Sequence, residues 1–495
     1  MIGIDIGGCN LVSAIISDEL KIFKKPVGMG LDSLSKEIKP YIGKERIILT
    51  TSQPINLLVS KFEEMKTLTL LIPGPGLNYS RYGFVLKGYV NHRGDVVEKV
   101  DEAEVRRILE REKFQNVAIA SKFSVRNPIL EEEVKRIVKE KIDEKRIALS
   151  YFVGGLNYPA RINTTVINAK LKEIVWDLTE EIRKKIGEFY YLKGDGTISP
   201  SQLVVENPSE LYGSTAVASA FGAIYLTKEK NAVVVNIGGY CTTLVRIENE
   251  SPVFISGVEI AGRKTLIRCV DSVSIPIGGN SIVQNEKASP VCATPAAFGG
   301  NVFTLTDALN CTGFDIGDSS RSRKLCETIN AEEVVDSFIS MLADNLKAME
   351  CEKIIGAGYL APYLIPEIAK KAKVDFLVPK HSEAVCAIGA AVSKVSFTLH
   401  TRYDTEKGIA IYNGVIEKCP FRTGSIPKDE ELIDMAKRKV LEIAKSLGEG
   451  EVGEIKVIDF SSFTIVKGGM KRGVIADLTL QIEPGIDYGR AKGVL

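Results

Sequence analysis

The stretch IGIDIGGCNLVSAI, residues 2–15, decides the fold because its pattern occurs a second time as VVVNIGGYCTTLVR, residues 233–246. Each copy is an apolar strand ending in Asp5 or Asn236, a Gly-Gly turn and a second apolar strand. Tandem glycines let a turn expose consecutive backbone N–H groups, which form an anion-binding concavity. The alternative is a tight hairpin turn without a ligand. Because the motif occurs twice in one long chain, we favour two phosphate-binding turns that hold one nucleotide from both sides.

A third glycine-containing segment supports this interpretation. Residues 353–362, KIIGAGYLAP, combine an apolar strand, a turn with Gly356 and Gly358, and the start of an apolar helix. Glycines in such a turn allow an adenine or a ribose to lie against the backbone. We therefore expect this segment at the nucleoside end of the same site.

Length and composition limit the classes of protein to which the chain can belong. A chain of 495 residues is too long for one ordinary core, so two or three domains are expected. Lys and Arg number 64 against 63 for Asp and Glu, which removes the global electrostatic case for nucleic-acid binding. The sequence has neither the apolar run of a membrane span nor a secretory signal pattern, so we expect a cytoplasmic protein.

The residues that usually form metal or nucleophile sites are scattered. The nine cysteines form no C-x-x-C pair, and the chain has only three histidines. We expect reduced thiols rather than disulfides. Cys9 and Cys241 are interpreted as small space-filling residues rather than nucleophiles. No motif typical of serine hydrolases, zinc proteases or P-loop ATPases occurs.

Short β-rich segments alternate with amphipathic helices, which is typical of an α/β protein. Strands are predicted over 2–6, 11–16, 46–49, 116–120, 232–236, 242–247 and 353–355. Helices are predicted over 101–112, 129–141, 163–186, 331–349 and 364–372. The segment after about His400 has predicted strands over 408–412, 454–459 and 474–481 around one helix over 429–446. We expect a separate C-terminal domain there.

Together, the three glycine segments resemble the phosphate-1, phosphate-2 and adenosine motifs of the actin/sugar kinase/Hsp70-type ATPase superfamily. The resemblance implies an α/β fold with two RNase H-like, actin-like ATPase lobes around a nucleotide cleft. On this basis we expect one lobe over residues 1–195, a second lobe over 196–399, and a smaller α+β domain over 400–495.

Further segments, in order across residues 1–395, resemble landmarks of the hydantoinase A/5-oxoprolinase family. They are Leu49–Leu58, Gly88–Val97, Ala118–Pro128, Arg161–Ala169, Gly213–Ala223, Ile277–Ile282 and Thr304–Gly313. Members of this family use ATP to phosphorylate a stubborn amide or carbonyl oxygen, so that a lactam or hydantoin ring can open. The resemblance implies ATP and Mg²⁺ as cofactors and a small cyclic amide or carbonyl compound as substrate. It also allows a B-type hydantoinase subunit and a homo-oligomer as partners.

The resemblance assigns roles to individual residues. Asp5 would bind Mg²⁺, and the catalytic set would consist of Asp5, Asn236 and Asp307. The nucleotide-binding residues that it implies are Gly7, Gly8, Cys9, Asn10, Gly238, Gly239, Thr242, Thr243, Gly278, Gly279, Gly356 and Gly358. We also expect valine at Gly238 to abolish nucleotide binding, because a β-branched residue disfavours a positive φ and would crowd the phosphate.

The phosphate-binding turns depart from the family pattern D-x-G-G-T-x-T-D at most of their acidic positions. The first turn keeps Asp5 but has Cys9 and Val12 in place of the threonine and the last aspartate. In the second turn, Asn236 and Thr243 replace both acids. An amide accepts a contact through its carbonyl oxygen but cannot act as a carboxylate base.

Two residues at these positions have competing interpretations. Tyr240 adds bulk where the family has a threonine facing phosphate. Asp307 could supply a missing acid, or this segment could be an N-cap in which Thr306 or Asp307 caps the next helix. Asp5 could likewise be a turn-capping residue rather than a ligand of Mg²⁺.

Two functions from different classes follow. The first is an ATP-dependent, hydantoinase/oxoprolinase-like hydrolase of cyclic amides. The second is a catalytically degenerate relative that binds nucleotide, or nothing, and acts as a scaffold or regulatory subunit. Asp5 and the four loop glycines favour nucleotide use, whereas the missing acids favour the second function. A third function, a kinase of a small metabolite, shares the fold but has no support from the family landmarks.

Overall fold

The computed structural model describes residues 1–26, 30–54, 56, 62–326, 329–446 and 453–489. Ile55 and residues 57–58 of the predicted family landmark after Leu49 lie outside the described residues. Among the described residues, no helix combines the length and the apolar character needed to cross a membrane.

The first 212 residues form a mixed six-stranded sheet and a parallel four-stranded sheet with their covering helices. The strands are β1 Ile2–Ile6, β2 Asn10–Ile16, β3 Leu20–Pro26, β4 Ile47–Thr51, β5 Thr67–Ile72, β6 Phe84–Val85, β7 Tyr89–Val90, β8 Val96–Glu98, β9 Asn116–Ser121, β10 Ile147–Leu149, β11 Tyr190–Leu192 and β12 Ile198–Pro200. The helices are α1 Gly30–Ile38, α2 Glu102–Arg111, α3 Ile129–Val138, α4 Tyr158–Ile186 and α5 Ser201–Glu206. The four-stranded sheet has the strand order β10-β9-β5-β6. The sequence analysis does not predict it as a unit distinct from the first lobe.

The next segment, up to residue 392, builds a second mixed sheet. Its strands are β13 Ala232–Ile237, β14 Thr242–Glu248, β15 Ser251–Pro252, β16 Phe254–Ser256, β17 Glu259–Ile260, β18 Arg263–Lys264, β19 Arg268–Val270, β20 Ser272–Ile275, β21 Ser281–Gln284, β22 Lys287–Cys292, β23 Lys353–Ala357 and β24 Asp375–Leu377. Its helices are α6 Ser214–Thr227, α7 Leu305–Cys311, α8 Ser319–Arg323, α9 Ala331–Ala348, α10 Ala361–Ala372 and α11 Val385–Val392.

The remaining elements form an antiparallel five-stranded sheet in the order β27-β26-β25-β29-β28, with one helix. They are β25 Thr398–Asp404, β26 Ile409–Tyr412, β27 Val415–Lys418, α12 Asp429–Ser446, β28 Ile455–Lys467 and β29 Met470–Ile482. The apolar face of α12, with Leu432, Ala436 and Val440, is buried against the sheet. Arg93 pairs with Glu406, and Lys407 pairs with Asp95, so charged side chains join this sheet to the first lobe.

The two mixed sheets have the same arrangement around their central strands. In the first sheet, β1 pairs antiparallel with β2 and parallel with β4. In the second sheet, β13 pairs antiparallel with β14 and parallel with β23. Together with the C-terminal sheet and helix, this repeat confirms the predicted α/β fold class with two actin-like ATPase lobes and a smaller α+β unit. The domain boundaries at 195 and 399 stay predictions.

The two lobes are joined by close packing of backbones. Helix α11 lies against β1, and a Cβ atom on Gly3 would overlap the carbonyl oxygen of Ala387. Helix α11 also packs against α6, where a Cβ on Gly389 would overlap the carbonyl oxygen of Ala218 and a Cβ on Gly222 would overlap that of Val385. Glycine at these positions lets the backbones approach closely, so the position of one lobe is fixed by the other.

The prediction that all cysteines are reduced is wrong for one pair. The structure joins Cys311 and Cys326 in a disulfide, with their Cα atoms 6.0 Å apart. The helix α7 and the turn after α8 bring these two residues together, although fourteen residues separate them in the sequence. The other seven cysteines are free.

The backbone packing of α11 against α6 generates the first testable prediction. We expect Gly389→Ala to lower stability by about 1–3 kcal/mol, because the new methyl group would force α6 and α11 apart. The measurement is the midpoint of urea unfolding followed by circular dichroism. Gly30→Ala is the control, since a Cβ on Gly30 meets no atom within 4 Å. Equal midpoints for wild type and Gly389→Ala would show that the close approach of α6 and α11 does not contribute to stability.

Candidate functional site

The two Gly-Gly turns of the repeat have the same internal geometry. In the first turn, the Gly7 N–H donates to the carbonyl oxygen of Asn10 at 3.0 Å. In the second turn, the Gly238 N–H donates to the carbonyl oxygen of Cys241, also at 3.0 Å. Each turn therefore closes in the same way between antiparallel strands, as the sequence repeat predicts.

The structure brings the two predicted turns into direct contact. The Asn280 side-chain amide donates to the Cys9 thiol at 3.1 Å. A Cβ on Gly239 would overlap the Cys9 sulfur, and a Cβ on Gly8 would overlap the Tyr240 ring. In this arrangement the Tyr240 ring lies on the backbone of the first turn. The bulk noted in the sequence at Tyr240 therefore fills space between the turns.

Backbone N–H groups at the turns are available to a ligand. In the part of the chain that the structure describes, no acceptor bonds the N–H groups of Gly8, Cys9, Gly239 and Tyr240. Successive unpaired N–H groups at a turn attract anions. The geometry therefore permits the phosphate-binding role that the sequence predicts for both turns.

The positive φ expected at Gly238 is wrong. Neither Gly238 nor the other three turn glycines has a positive φ. Close approach explains the glycines instead, because side chains on Gly8 and Gly239 would collide with the opposite turn. Valine at Gly238 would bring its Cβ to 3.0 Å from the carbonyl oxygen of Cys241. The constraint at this position is therefore steric rather than conformational.

The turn with Gly278 and Gly279 supports the second phosphate-binding turn. The Gly279 N–H donates to the carbonyl oxygen of Gly238 at 3.0 Å, and the Asn280 N–H donates to that of Gly239 at 2.8 Å. The Thr242 hydroxyl donates to the carbonyl oxygen of Ile277 at 2.8 Å. These bonds fix the orientation of the peptide groups that face the first turn.

Asp5 lies at the end of β1, directly before the first turn. Its Oδ1 atom is buried and has no hydrogen-bond partner among the described residues. Burial raises the pKa of this carboxyl from 3.8 to about 7. A turn-capping aspartate would accept backbone hydrogen bonds, so the unpartnered oxygen favours the ligand interpretation.

Asn236 occupies the position in the second lobe that Asp5 occupies in the first. Its Nδ2 group donates to the Cys386 sulfur at 3.4 Å. Thr243 lies opposite Asn236 in the β13–β14 ladder, just as Val12 lies opposite Asp5. Each pair is thus a cross-strand pair on one face of its sheet.

Asp307 is held in a structural network. Its carboxylate accepts hydrogen bonds from the N–H groups of Ala296, Ala297 and Thr304 at 2.9–3.0 Å. The Thr304 hydroxyl at 2.9 Å and the Ser322 hydroxyl at 2.6 Å complete the set. Both oxygens are therefore occupied in a capping box at the start of α7. The geometry favours capping, with Thr304 rather than Thr306 as the partner residue.

The third glycine segment approaches the second lobe's turn with one of its two glycines. Gly358 has a φ of +90°, and its ideal Cβ would overlap the carbonyl oxygen of Ile237 and lie 3.2 Å from Asn236 Oδ1. Gly356 instead packs beneath α10, where its ideal Cβ lies 2.6 Å from Ile365. Gly358 therefore lies at the candidate site, and Gly356 supports the helix that follows it.

The structure adds residues that the sequence analysis did not assign to the site. The Gln53 side chain donates to the carbonyl oxygen of Gly7 at 3.0 Å, and the Thr51 hydroxyl donates to that of Ile6 at 2.9 Å. The Tyr359 hydroxyl lies 3.0 Å from the Thr306 hydroxyl. Thr51 and Gln53 lie within the family landmark Leu49–Leu58, and Tyr359 lies within the third glycine segment. Their position in these segments is the sequence signal that could have assigned them to the site.

Other family landmarks meet away from the turns. The buried Arg161 guanidinium donates to the carbonyl oxygens of Ser121 and Lys122 at 2.7 and 2.6 Å. Its Nε group donates to the Ser150 hydroxyl at 3.2 Å. These bonds join the start of α4 to the end of β9, which gives both landmarks a structural role.

The thiols beside the turns are protonated at neutral pH. Burial is the main cause that raises the pKa of the Cys9 thiol to about 12. Burial also raises the pKa of the Cys241 thiol. A protonated thiol is a weak nucleophile, which agrees with the space-filling interpretation.

The unpartnered Asp5 carboxyl generates the second testable prediction. Between pH 4 and 7 the folded protein keeps a proton on Asp5 that the unfolded chain releases, so stability falls as pH rises across this range. We expect Asp5→Asn to raise the melting temperature above that of wild type at pH 8, with the difference shrinking towards pH 4. The measurement is thermal unfolding in metal-free and nucleotide-free buffer.

The exposed Asp18, in the turn between β2 and β3, provides the matched control for this experiment. Asp18→Asn should leave the pH dependence of the melting temperature unchanged. A difference between Asp5→Asn and wild type that does not vary with pH would contradict the raised pKa.

Comparison with known proteins agrees with this geometry. A family model described as hydantoinase/oxoprolinase matches residues 161–317, and one described as hydantoinase/oxoprolinase N-terminal region matches residues 50–142. An uncharacterized protein of Methanocaldococcus jannaschii is 24% identical over 201 residues, which are 38% of this chain and 30% of that protein. The match thus spans less than a third of this relative.

Two solved structures share the fold over nearly the whole chain. A nucleotide-free acetone carboxylase superposes with a TM-score of 0.70 at 14% identity, covering 99% of this chain and 88% of the other. The ATP-dependent caprolactamase from Pseudomonas jessenii superposes with a TM-score of 0.63 at 16% identity, covering 97% and 87%. With both family models matched in order, the chain belongs to the hydantoinase/oxoprolinase family.

Proposed function

We propose that the protein binds ATP between its two Gly-Gly turns and uses it to activate the oxygen of a cyclic amide or a related carbonyl compound. The observation that carries this proposal is the contact between the turns, each of which has backbone N–H groups without an acceptor among the described residues. Family membership supports the reaction class. Of the two solved proteins compared above, one carries out ATP-dependent acetone carboxylation and the other is an ATP-dependent caprolactamase.

The residues present fit a divalent cation. Mg²⁺ is usually held by one or two carboxylates together with substrate phosphates and water. Asp5 offers a buried oxygen without a partner, which a cation would satisfy. No group of three or more His, Cys, Asp or Glu side chains within the described ranges could hold a metal. Asp5 would therefore hold Mg²⁺ only together with the nucleotide, whose phosphate charge the cation would neutralise.

The backbone and side-chain groups of the site would have different roles according to their position. The N–H groups of Gly8, Cys9, Gly239 and Tyr240 would bind the phosphates from two sides. The Asn236 carbonyl oxygen would accept a hydrogen bond from a water or acceptor group, but it cannot take up the proton as a carboxylate would. We therefore expect nucleotide binding to be retained better than turnover. A B-type hydantoinase subunit is the partner that would complete the reaction.

A second function is favoured by one specific observation. The Tyr240 ring lies on the backbone of Gly8, in the space that phosphates would occupy. Together with the loss of both acids from the second turn, this arrangement suits a relative that has kept the fold as a scaffold or regulatory subunit. The two functions differ in ATP turnover, and a relative that acts only as a scaffold without a nucleotide would also differ in ATP binding.

The third prediction tests whether Tyr240 limits access. We expect Tyr240→Thr to bind Mg-ATP more tightly than wild type, because the smaller side chain removes the ring from the first turn. The measurement is isothermal titration calorimetry with Mg-ATP and Mg-ADP. Tyr240→Phe keeps the ring and serves as the control that should match wild type. If neither wild type nor Tyr240→Thr binds nucleotide, the scaffold function is the correct one.

The fourth prediction concerns the missing acids. We expect very slow phosphate release by the isolated wild-type chain with ATP and a hydantoin or 5-oxoproline, because a positioned acid or base typically contributes about 10²–10⁴-fold in rate. The double variant Asn236→Asp with Thr243→Asp places two carboxylates opposite each other in the β13–β14 ladder. We expect it to release phosphate at least about tenfold faster.

The single variant Thr243→Asn is the matched control for the double variant, because it has a similar shape and no charge. Brisk turnover by wild type would show that another residue is the catalytic acid. An unchanged rate in the double variant, with ATP binding intact, would support the regulatory function.

A further inference from the structure

We propose that Lys24 on β3 binds the phosphates of the nucleotide and so supplies the first lobe's positive charge to the site. The inference rests on the proposed function, because it assigns a residue to the same nucleotide. No role for Lys24 follows from the glycine motifs or from the family landmarks, since it lies outside both.

The strand register directs Lys24 towards the second lobe. Lys24 lies opposite Val12 in the β2–β3 ladder, so both side chains project from the same face of the sheet. Val12 is buried in a cluster with Ala384 and Ala387 of the second lobe. The side chain of Lys24 therefore leaves the first lobe on the face that meets the second.

The position of the ammonium group places it beside the two turns. Lys24 Nζ lies 5.3 Å from the centre of the Tyr359 ring. Tyr359 follows Gly358, and its hydroxyl stands where a Cβ on Gly279 would be, next to the turn that supports Gly238. The charge of Lys24 also lowers the pKa of the Cys9 thiol, opposing part of the effect of burial. The ammonium group thus lies within electrostatic reach of the first turn.

Lys24 is accessible and lacks an anionic partner. The side chain is exposed, yet the surrounding protein lowers its pKa by desolvation. Among the described residues, the Lys24 ammonium group has neither an ion pair nor a hydrogen bond. Glu383, the acid whose charge acts on it, lies 3.7 Å from the His381 ring.

Charge complementarity identifies the ligand group. A lysine within electrostatic reach of the first turn, whose ammonium group has no carboxylate contact among the described residues, matches a phosphate rather than a neutral base or sugar. The nucleoside end of the ligand would instead lie near Gly358. Lys24 is therefore expected to discriminate by phosphate number: ATP most strongly, ADP less, and adenosine not at all.

The test compares two neighbouring lysines that project from opposite faces of β3. Lys24→Gln is expected to weaken Mg-ATP binding roughly tenfold or more, the usual effect of removing a charged hydrogen-bond donor. The loss should be smaller for Mg-ADP and absent for adenosine. Lys25 pairs with Leu11, whose side chain lies on the core side of the sheet. The variant Lys25→Gln should therefore bind Mg-ATP, Mg-ADP and adenosine with wild-type affinity. Calorimetric dissociation constants at one fixed salt concentration give the comparison.

The possible outcomes distinguish a failure of the role proposed for Lys24 from a failure of the proposed function. Wild type that binds ATP, together with Lys24→Gln of unchanged affinity, would overturn the role of Lys24 alone. An equal loss for ATP and adenosine would also overturn it, because the defect would not involve phosphate. Wild type that binds no ATP would overturn both the role of Lys24 and the proposed function. Recovery of ATP affinity in Lys24→Arg would support a requirement for positive charge.

Discussion

Helix α11 holds the two lobes together, because its backbone packs directly against β1 of the first lobe and α6 of the second. It packs against β1 at Gly3 and against α6 at Gly222 and Gly389. Packed backbones cannot slide by fractions of an ångström without overlap, so the two central strands are held at a fixed separation. The Gly-Gly turns follow directly from β1 and β13. Their contact is therefore a consequence of the helix packing as well as of the local sequence.

The close packing of the two lobes bears on the residues of the turns that differ from the family pattern. Cys9 and Tyr240 each lie against a glycine of the opposite turn. Asp5 keeps an unpartnered buried oxygen and a raised pKa, although a well-satisfied carboxylate would be more stable. A buried polar group without a partner is more easily explained by a ligand than by folding. The second lobe has Asn236 at the matching position, where its amide bonds to Cys386.

The sequence predicts the parts of this arrangement that depend on local pattern. Both hairpins, the strand at Lys353 and the helix Asp429–Ser446 lie where alternating and helical periodicity place them. Long-range contacts were not predictable in the same way. Nothing near Tyr240 indicates that its ring would lie on Gly8, and nothing near Cys311 indicates a disulfide with Cys326. For Asp307 the sequence left catalysis and capping open, and donors from three separate segments favour capping.

The central claim is that both turns bind one nucleotide, and hydrogen–deuterium exchange of the backbone amides tests it most directly. The amides of Gly8, Cys9, Gly239 and Tyr240 have no acceptor among the described residues, so they should exchange rapidly in the free protein. Addition of Mg-ATP should slow exchange in the peptides that contain residues 7–10 and in those that contain residues 238–241, over the same range of ATP concentration. Unchanged exchange in both turns, or slowing in one turn alone, would contradict the account.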